Sequence, residues 1–276
     1  MGSGLKINSN PGANSAVRNV RNHGGGLHRA VDRLSSGLRI NSAADDAAAL
    51  SVSENVRAQH RGYQQALRNA SDGVAMVQTA EAGYQSISDT LIRMRELAIQ
   101  SAGGALSDTE RGFLNSEFSE LVAEIDRVSS VTEYNNVKLL DGSTASLTFQ
   151  IGARNSANSR FDVSLDAQSA SDLGVNAEVV DSQTAAQDAI TSVDDALESL
   201  NTDRASIGAQ IGTMNVAIQD LAQTITSYGQ ALGSIRDADV GQESGEFARS
   251  RVLRAAGVAM LAQANANTGM ALRLLR

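Results

Sequence analysis

The positions Ile190, Val193, Leu197, Leu200, Arg204, Ile207, Ile211, Met214, Ile218, Leu221, Ile225, Tyr228, Leu232 and Ile235 follow one another at alternating steps of three and four. That spacing lines them along one stripe of a continuous helix, a heptad seam that needs a partner to cover it. At 1.5 Å per residue the helix is about 70 Å long. Ile207, Ile211, Met214, Ile218, Leu221 and Ile225 are its central packing residues. Arg204 is the one charged member. An unpaired charge inside an apolar seam is costly, so Arg204 calls for an acidic partner or a place at the seam's edge. Thr184 with Gln187 reads as a capping box at the helix start.

A second long helix is predicted from about Asp46 to Ser101. A seven-residue stride collects Ala49, Val56, Tyr63, Ala70, Val77, Tyr84, Leu91 and Ala98. Gly103 and Gly104 end it, and Ser107 with Glu110 caps the next helix. That shorter helix offers Leu114, Phe118, Leu121, Ile125 and Val128 at the same spacing and ends near Ser130. The period then changes to two. Leu147, Phe149 and Ile151 alternate, as do Phe161, Val163 and Leu165, which reads as a hairpin around a polar loop. The stretch 167–180 is irregular. A single Pro in 276 residues suits long unbroken helices.

Both ends carry weaker heptads. Ala13, Val17, Val20, Gly24, Leu27, Val31, Leu34 and Leu38 form one. Asn10 and Pro11 are a good N-cap and first helical residue. Gly24, Gly25 and Gly26 cost that helix about 1 kcal/mol each relative to Ala. Leu253, Met260, Ala264, Ala271 and Leu274 continue a stripe at the far end. Each terminal helix is marginal alone and needs a partner. The expected fold is mainly α: a long antiparallel helical rod with heptad seams and a hairpin at about 146–166. Two domains are expected, 1–45 plus 236–276 as an inner coiled-coil assembly domain and 46–235 as the helical body.

Net charge is −8, unevenly spread. Residues 1–40 carry +5 and residues 241–276 carry +3, leaving −16 between them. Basic ends can bind nucleic acid, but residues 1–40 have no aromatic side chain and 241–276 only Phe247. Stacking residues are missing, so nucleic acid is not an expected partner. No stretch approaches the roughly 20 apolar residues of a membrane span. The opening MGSGLKINSNPGANS lacks the apolar run of a signal peptide.

No catalytic, cofactor or metal site is expected. His23, His28 and His60 fit no metal-binding spacing. A glycine-rich phosphate loop and a nucleophile elbow are both missing. Asp45–Asp46 and Asp194–Asp195 are adjacent pairs, and adjacent helical residues do not face one another. The absence of Cys excludes disulfides and cysteine-based metal sites. Tyr63, Tyr84, Met94, Met214 and Tyr228 read as core packing.

The segment RLSSGLRINSAADDAAALSVSENVRAQHRGYQQALRNASDGVAMVQTAEAG at 33–83 resembles the N-terminal signature of bacterial flagellins. IRMRELAIQSAGG (92–104), EIDRVSSVTEYNNVKLLDGS (124–143) and QIGA (150–153) follow in that family's order, and residues 234–276 are similar to its C-terminus. The resemblance implies a non-enzymatic subunit that polymerises into the flagellar filament for swimming, located outside the cell. It also implies export, unfolded, through the flagellar type III channel. The partners implied are further copies of the chain in a helical homopolymer, an export chaperone at the C-terminal segment, and the hook–filament junction and filament cap proteins. The variable outer domains common in the family have no room here. A hook–filament junction protein is the nearest rival reading. A zinc-peptidase insert lacks its HExxH motif, and a free-standing coiled-coil scaffold would not need both termini. The resemblance further implies a contact with host Toll-like receptor 5 through Arg93, Leu97, Gln100 and Glu117. Leu97 lies outside the Ala49-to-Ala98 row and is expected as an exposed apolar anchor.

Overall fold

The computed structural model describes the backbone of residues 9–274 and the side chains of residues 9–266. Ala271 and Leu274 of the C-terminal stripe lie outside the described side chains. The chain is mainly α with two small antiparallel sheets. Its elements are α1 (Pro11–Ser36), α2 (Ala47–Ala102), α3 (Asp108–Val131), β1 (Glu133–Tyr134), β2 (Val137–Lys138), β3 (Ser146–Gln150), β4 (Arg160–Ser164), α4 (Gln183–Arg236) and α5 (Val240–Leu274). It divides into two compact units, residues 1–58 with 228–276, and residues 59–227.

In the first unit α1 packs antiparallel on α5. The Asn10 side chain accepts from Ala13 N at 3.0 Å, with Pro11 behind it, and the helix runs unbroken through Gly24–Gly26. It ends at Gly37, whose φ of 71° is the left-handed conformation glycine adopts without strain. Four contacts fix the pairing with α5. Arg33 Nη1 donates to Glu243 Oε1 at 2.8 Å, and Asn10 Nδ2 donates to Ala264 O at 3.0 Å. Between them Gly26 faces Ser250 and Gly257 faces Val20, each so closely that a Cβ would lie 3.1 Å and 2.8 Å from its neighbour. This corrects the stripe read on α5, and the one on α1 at Val31 alone. On α5 the row through Ser250, Gly257 and Leu261 meets α1, while Leu253 and Met260 are exposed. On α1 Ala30 is buried and Val31 exposed. Small residues let the helices approach closely, so they take the interface and turn the bulkier row outward.

In the second unit α2 and α4 run antiparallel over one core. The α4 seam is covered as expected: Val193, Leu200, Ile207, Met214 and Leu221 are buried, with Ile190, Leu197, Ile211, Ile218 and Ile225 half-buried. The cap of α4 differs from the sequence reading. Ser182 Oγ, not Thr184, accepts from Ala185 N at 3.3 Å, and the helix begins one residue later at Gln183. The predicted hairpin is β3–β4, with Leu147 opposite Val163 and Phe149 opposite Phe161. A second hairpin, β1–β2, turns on Asn135 and Asn136, both at positive φ. Asn tolerates that conformation better than most residues.

Gly73 and Gly83 let neighbours approach α2. A Cβ at Gly73 would strike Met214, and one at Gly83 would lie 2.6 Å from Leu140 Cδ1 and 2.9 Å from Thr132 Oγ1. The irregular stretch after β4 also enters the core through Leu165, Ala170, Leu173, Val175 and Val180.

Candidate functional site

The residues singled out as a recognition site sit where α2 meets α3. The α2–α3 connection is built by its ends. Gly103 and Gly104 follow α2, and Ser107 caps α3 reciprocally: its hydroxyl accepts from Glu110 N, and Glu110 Oε2 accepts from Ser107 N at 2.7 Å. Arg111 closes the turn from beneath. It is buried, and its Nη2 donates to Gly103 O at 2.8 Å. Sequence reasoning missed this arginine; its only signal was a basic residue one turn into the helix after a Gly-Gly break.

Arg93 stands exposed on α2 and reaches across to α3. Its Nε and Nη2 donate to Glu117 Oε1 at 3.0 and 2.7 Å, and its Nη1 donates to Glu96 Oε2 at 2.9 Å. The Glu117 carboxylate, then Glu96, push the guanidinium pKa further up, so this cation is fixed in charge and place. Gln100 is exposed on the next turns of the same helix. Arg93, Gln100 and Glu117 therefore share one accessible polar face.

Leu97 does not. Only 1% of its surface is exposed, and it belongs to the main core with Leu91, Met94 and Phe118. The expectation of an exposed anchor was wrong because α3 covers a second side of α2, beyond the row that meets α4. Ile92 and Ile99 are exposed on α2, and the most exposed large apolar side chain beside this face is Phe113 on α3, at 72%. It lies one turn before Glu117 and outside the Leu114-to-Val128 row, which was its sequence signal.

The seam residues Ile207, Ile211, Met214, Ile218, Leu221 and Ile225 form packing, not a binding cleft. Ile218 and Leu221 join Tyr63, Ala66, Leu67 and Ala70 of α2. Near them Tyr84 is buried, with its hydroxyl donating to Asp166 O at 3.3 Å; burial pushes the phenol pKa up. Asp203 accepts from Gln168 Nε2 at 2.7 Å, and partial burial pushes its carboxyl pKa up as well. Among the described residues no helix is long and apolar enough to cross a membrane.

In the first unit a groove of about 540 Å³ opens along the helix pair, lined by Leu27, Phe247, Arg251, Arg254, Ala255 and Val258. Val252, Leu253 and Met260 are exposed on α5 as well. This is a large apolar area for one small helix pair, a mark of an interaction surface.

Comparison with known proteins places these features. Residues 7–145 match the bacterial flagellin N-terminal helical region and residues 190–275 the bacterial flagellin C-terminal helical region. A flagellin of Halalkalibacterium halodurans is 39% identical over 270 residues, covering 98% of this chain and 99% of that protein. The flagellar filament 33 kDa core protein of Treponema phagedenis is 36% identical over 287 residues, with coverage of 98% and 99%. The crystal structure of Bacillus cereus flagellin superposes with a TM-score of 0.50 at 27% identity, covering 56% of this chain and 88% of that one.

Proposed function

The chain belongs to the bacterial flagellin family, and from that premise we propose that it is the structural subunit of an extracellular flagellar filament that drives swimming, with no catalytic role. The observation that carries this reading is the α1·α5 pair with its apolar outward surface at Val252, Leu253 and Met260. A single chain leaves that surface in water; a polymer of identical chains covers it. Residues 1–45 with 236–276 then serve as the inner assembly domain, and 46–235 as the helical body. Export, unfolded, through the type III channel, an export chaperone on the C-terminal segment, and the junction and cap proteins at the filament's ends complete the reading. Host Toll-like receptor 5 is a further proposed partner of the monomer, through Arg93, Gln100 and Glu117; the burial of Leu97 leaves it only a supporting part.

The test is deletion of residues 236–276. The intact chain should give micrometre-scale filaments by negative-stain microscopy, and the truncated one none. Short rings or caps from the intact chain would favour a hook–filament junction role. Filaments from the truncated chain would refute assembly through α5.

A further inference from the structure

Resting on the filament reading, we infer that Met260 of α5 is an oxidation site that gates assembly: a monomer carrying the sulfoxide there is refused by the growing polymer. Among the methionines with described side chains, Met76 is 5% exposed and Met94 and Met214 are 0% exposed, all inside the core of the second unit. Met260 is 65% exposed. Oxidation follows access, so an oxidant reaching the folded monomer meets the Met260 thioether before those three.

The setting of Met260 decides the consequence. Val252, Ala256 and Met260 follow at steps of four, and Leu253 precedes Met260 by one heptad, so these four exposed residues share one side of α5. From Ala255 to Leu272 the sequence carries no charged residue. A thioether suits such a surface, being close to Leu in volume and soft enough to fit an irregular partner. A sulfoxide does not suit it, because it turns the flexible apolar side chain into a polar one.

The reaction needs only the sulfur and an oxygen donor such as hydrogen peroxide. A sulfur lone pair attacks one peroxide oxygen, the S–O bond forms as the O–O bond breaks, and both peroxide hydrogens leave in one water molecule. Sulfur is oxidised by two electrons and the peroxide is reduced by two. When a second copy then covers the α5 surface, water must leave the S–O dipole. The backbone N–H groups of this part of α5 are already engaged within the helix, and the side chains of Val252, Leu253 and Ala256 hold no donor, so the dipole is left unpaired at a cost. The same contact shields an unoxidised sulfur once it has formed. Met260 thus sorts monomers before assembly and is protected after it.

The test treats folded monomer with graded hydrogen peroxide and follows each methionine by peptide mass spectrometry. Met260 should be oxidised well before Met76, Met94 and Met214. Monomer oxidised to that point should keep its melting temperature, and its critical concentration for polymerisation should rise roughly tenfold or more, as one unpaired polar group implies. Methionine sulfoxide reductase should reverse the rise. Met260→Leu should polymerise like the parent chain and be indifferent to peroxide, whereas Met260→Gln, polar without oxidation, should imitate the sulfoxide. In preformed filaments Met260 should resist the same dose. Normal polymerisation of the oxidised monomer, a peroxide effect that persists in Met260→Leu, or oxidation of Met260 as fast in filaments as in monomer would each overturn the gate. Failure of the untreated chain to polymerise would overturn the filament reading itself.

Discussion

Arg204 of α4 donates twice to a single oxygen of Glu81 on α2, through Nε at 3.0 Å and Nη2 at 2.7 Å, and its Nη2 also reaches Gln85 Oε1 at 2.7 Å. The side chains keep 25% and 33% of their surface in water. The one charge in the α4 seam thus has the acidic partner its position demanded. Glu81 Oε2 is buried without a hydrogen bond, so Glu81 relies on Arg204 for its compensation.

Arg204→Leu should therefore lower stability by about 1–3 kcal/mol, because it strands a half-buried carboxylate. Combining it with Glu81→Leu should bring stability back to near the starting value, since an apolar pair replaces an ion pair at little cost. Urea unfolding of the two single variants and the double variant gives the coupling directly. A neutral Arg204→Leu would show that water already compensates Glu81.

The seam around this pair was legible because α4 meets one main partner along one stripe. Leu97 was not, because α2 is covered on two sides. The row from Ala70 to Ala98 is buried, and so is Leu97, which α3 covers. A single stride along the sequence finds only one of those faces. Ala170, Leu173, Val175 and Val180 were illegible for another reason: a non-repeating loop has no period to betray which residues point inward. At the recognition face, the family resemblance singled out Arg93, Gln100 and Glu117, and spacing put Arg93 and Gln100 on one side of α2, but the exposure of Phe113 depends on the angle at which α3 lies on α2.

Glycines in these helices should divide by what surrounds them. At Gly83 a Cβ meets Leu140 and Thr132, while at Gly208 and Gly212 of α4 it meets nothing within 4 Å. Gly83→Ala should lower stability by about 1–3 kcal/mol through overpacking. Gly208→Ala and Gly212→Ala should each raise it by roughly 0.5–1 kcal/mol through helix propensity. Thermal melts of the three variants check both signs, and equal effects at Gly83 and Gly208 would refute the close approach.

Asp203 makes a pH prediction. Its carboxyl pKa is raised, first by desolvation, despite the hydrogen bond from Gln168. A carboxyl whose folded pKa lies above its unfolded value costs stability when ionised, and the cost is relieved as pH falls through the folded value. Asp203→Asn should therefore melt higher than the parent chain at pH 7, with the gap closing on acidification. Glu110 and Asp194, whose pKa values are lowered by the Ser107 cap and by Arg95, act oppositely. Their stabilisation is present above the ordinary carboxylate range and is lost as pH falls through their lowered folded values. A gap between Asp203→Asn and parent that widens toward low pH would reverse the assignment.

The recognition face gives the last expectation, which separates binding from folding. Arg93 is exposed and held by Glu117 and Glu96, so Arg93→Ala removes only solvent-screened ion pairs and should leave the melting temperature essentially unchanged. The same variant should weaken monomer binding to the Toll-like receptor 5 ectodomain by more than about 1 kcal/mol, as loss of an interface arginine does. Leu97→Ala should behave the other way. It opens a cavity among Leu91, Met94 and Phe118 and should cost about 2–5 kcal/mol of stability. Any loss of receptor affinity in Leu97→Ala should then track its unfolding, and measuring at a temperature where the variant stays folded should recover most of the affinity. Titration of both variants beside their melting curves decides the matter. Unchanged affinity in Arg93→Ala, or no binding by the unmodified monomer, would remove this face as a receptor site.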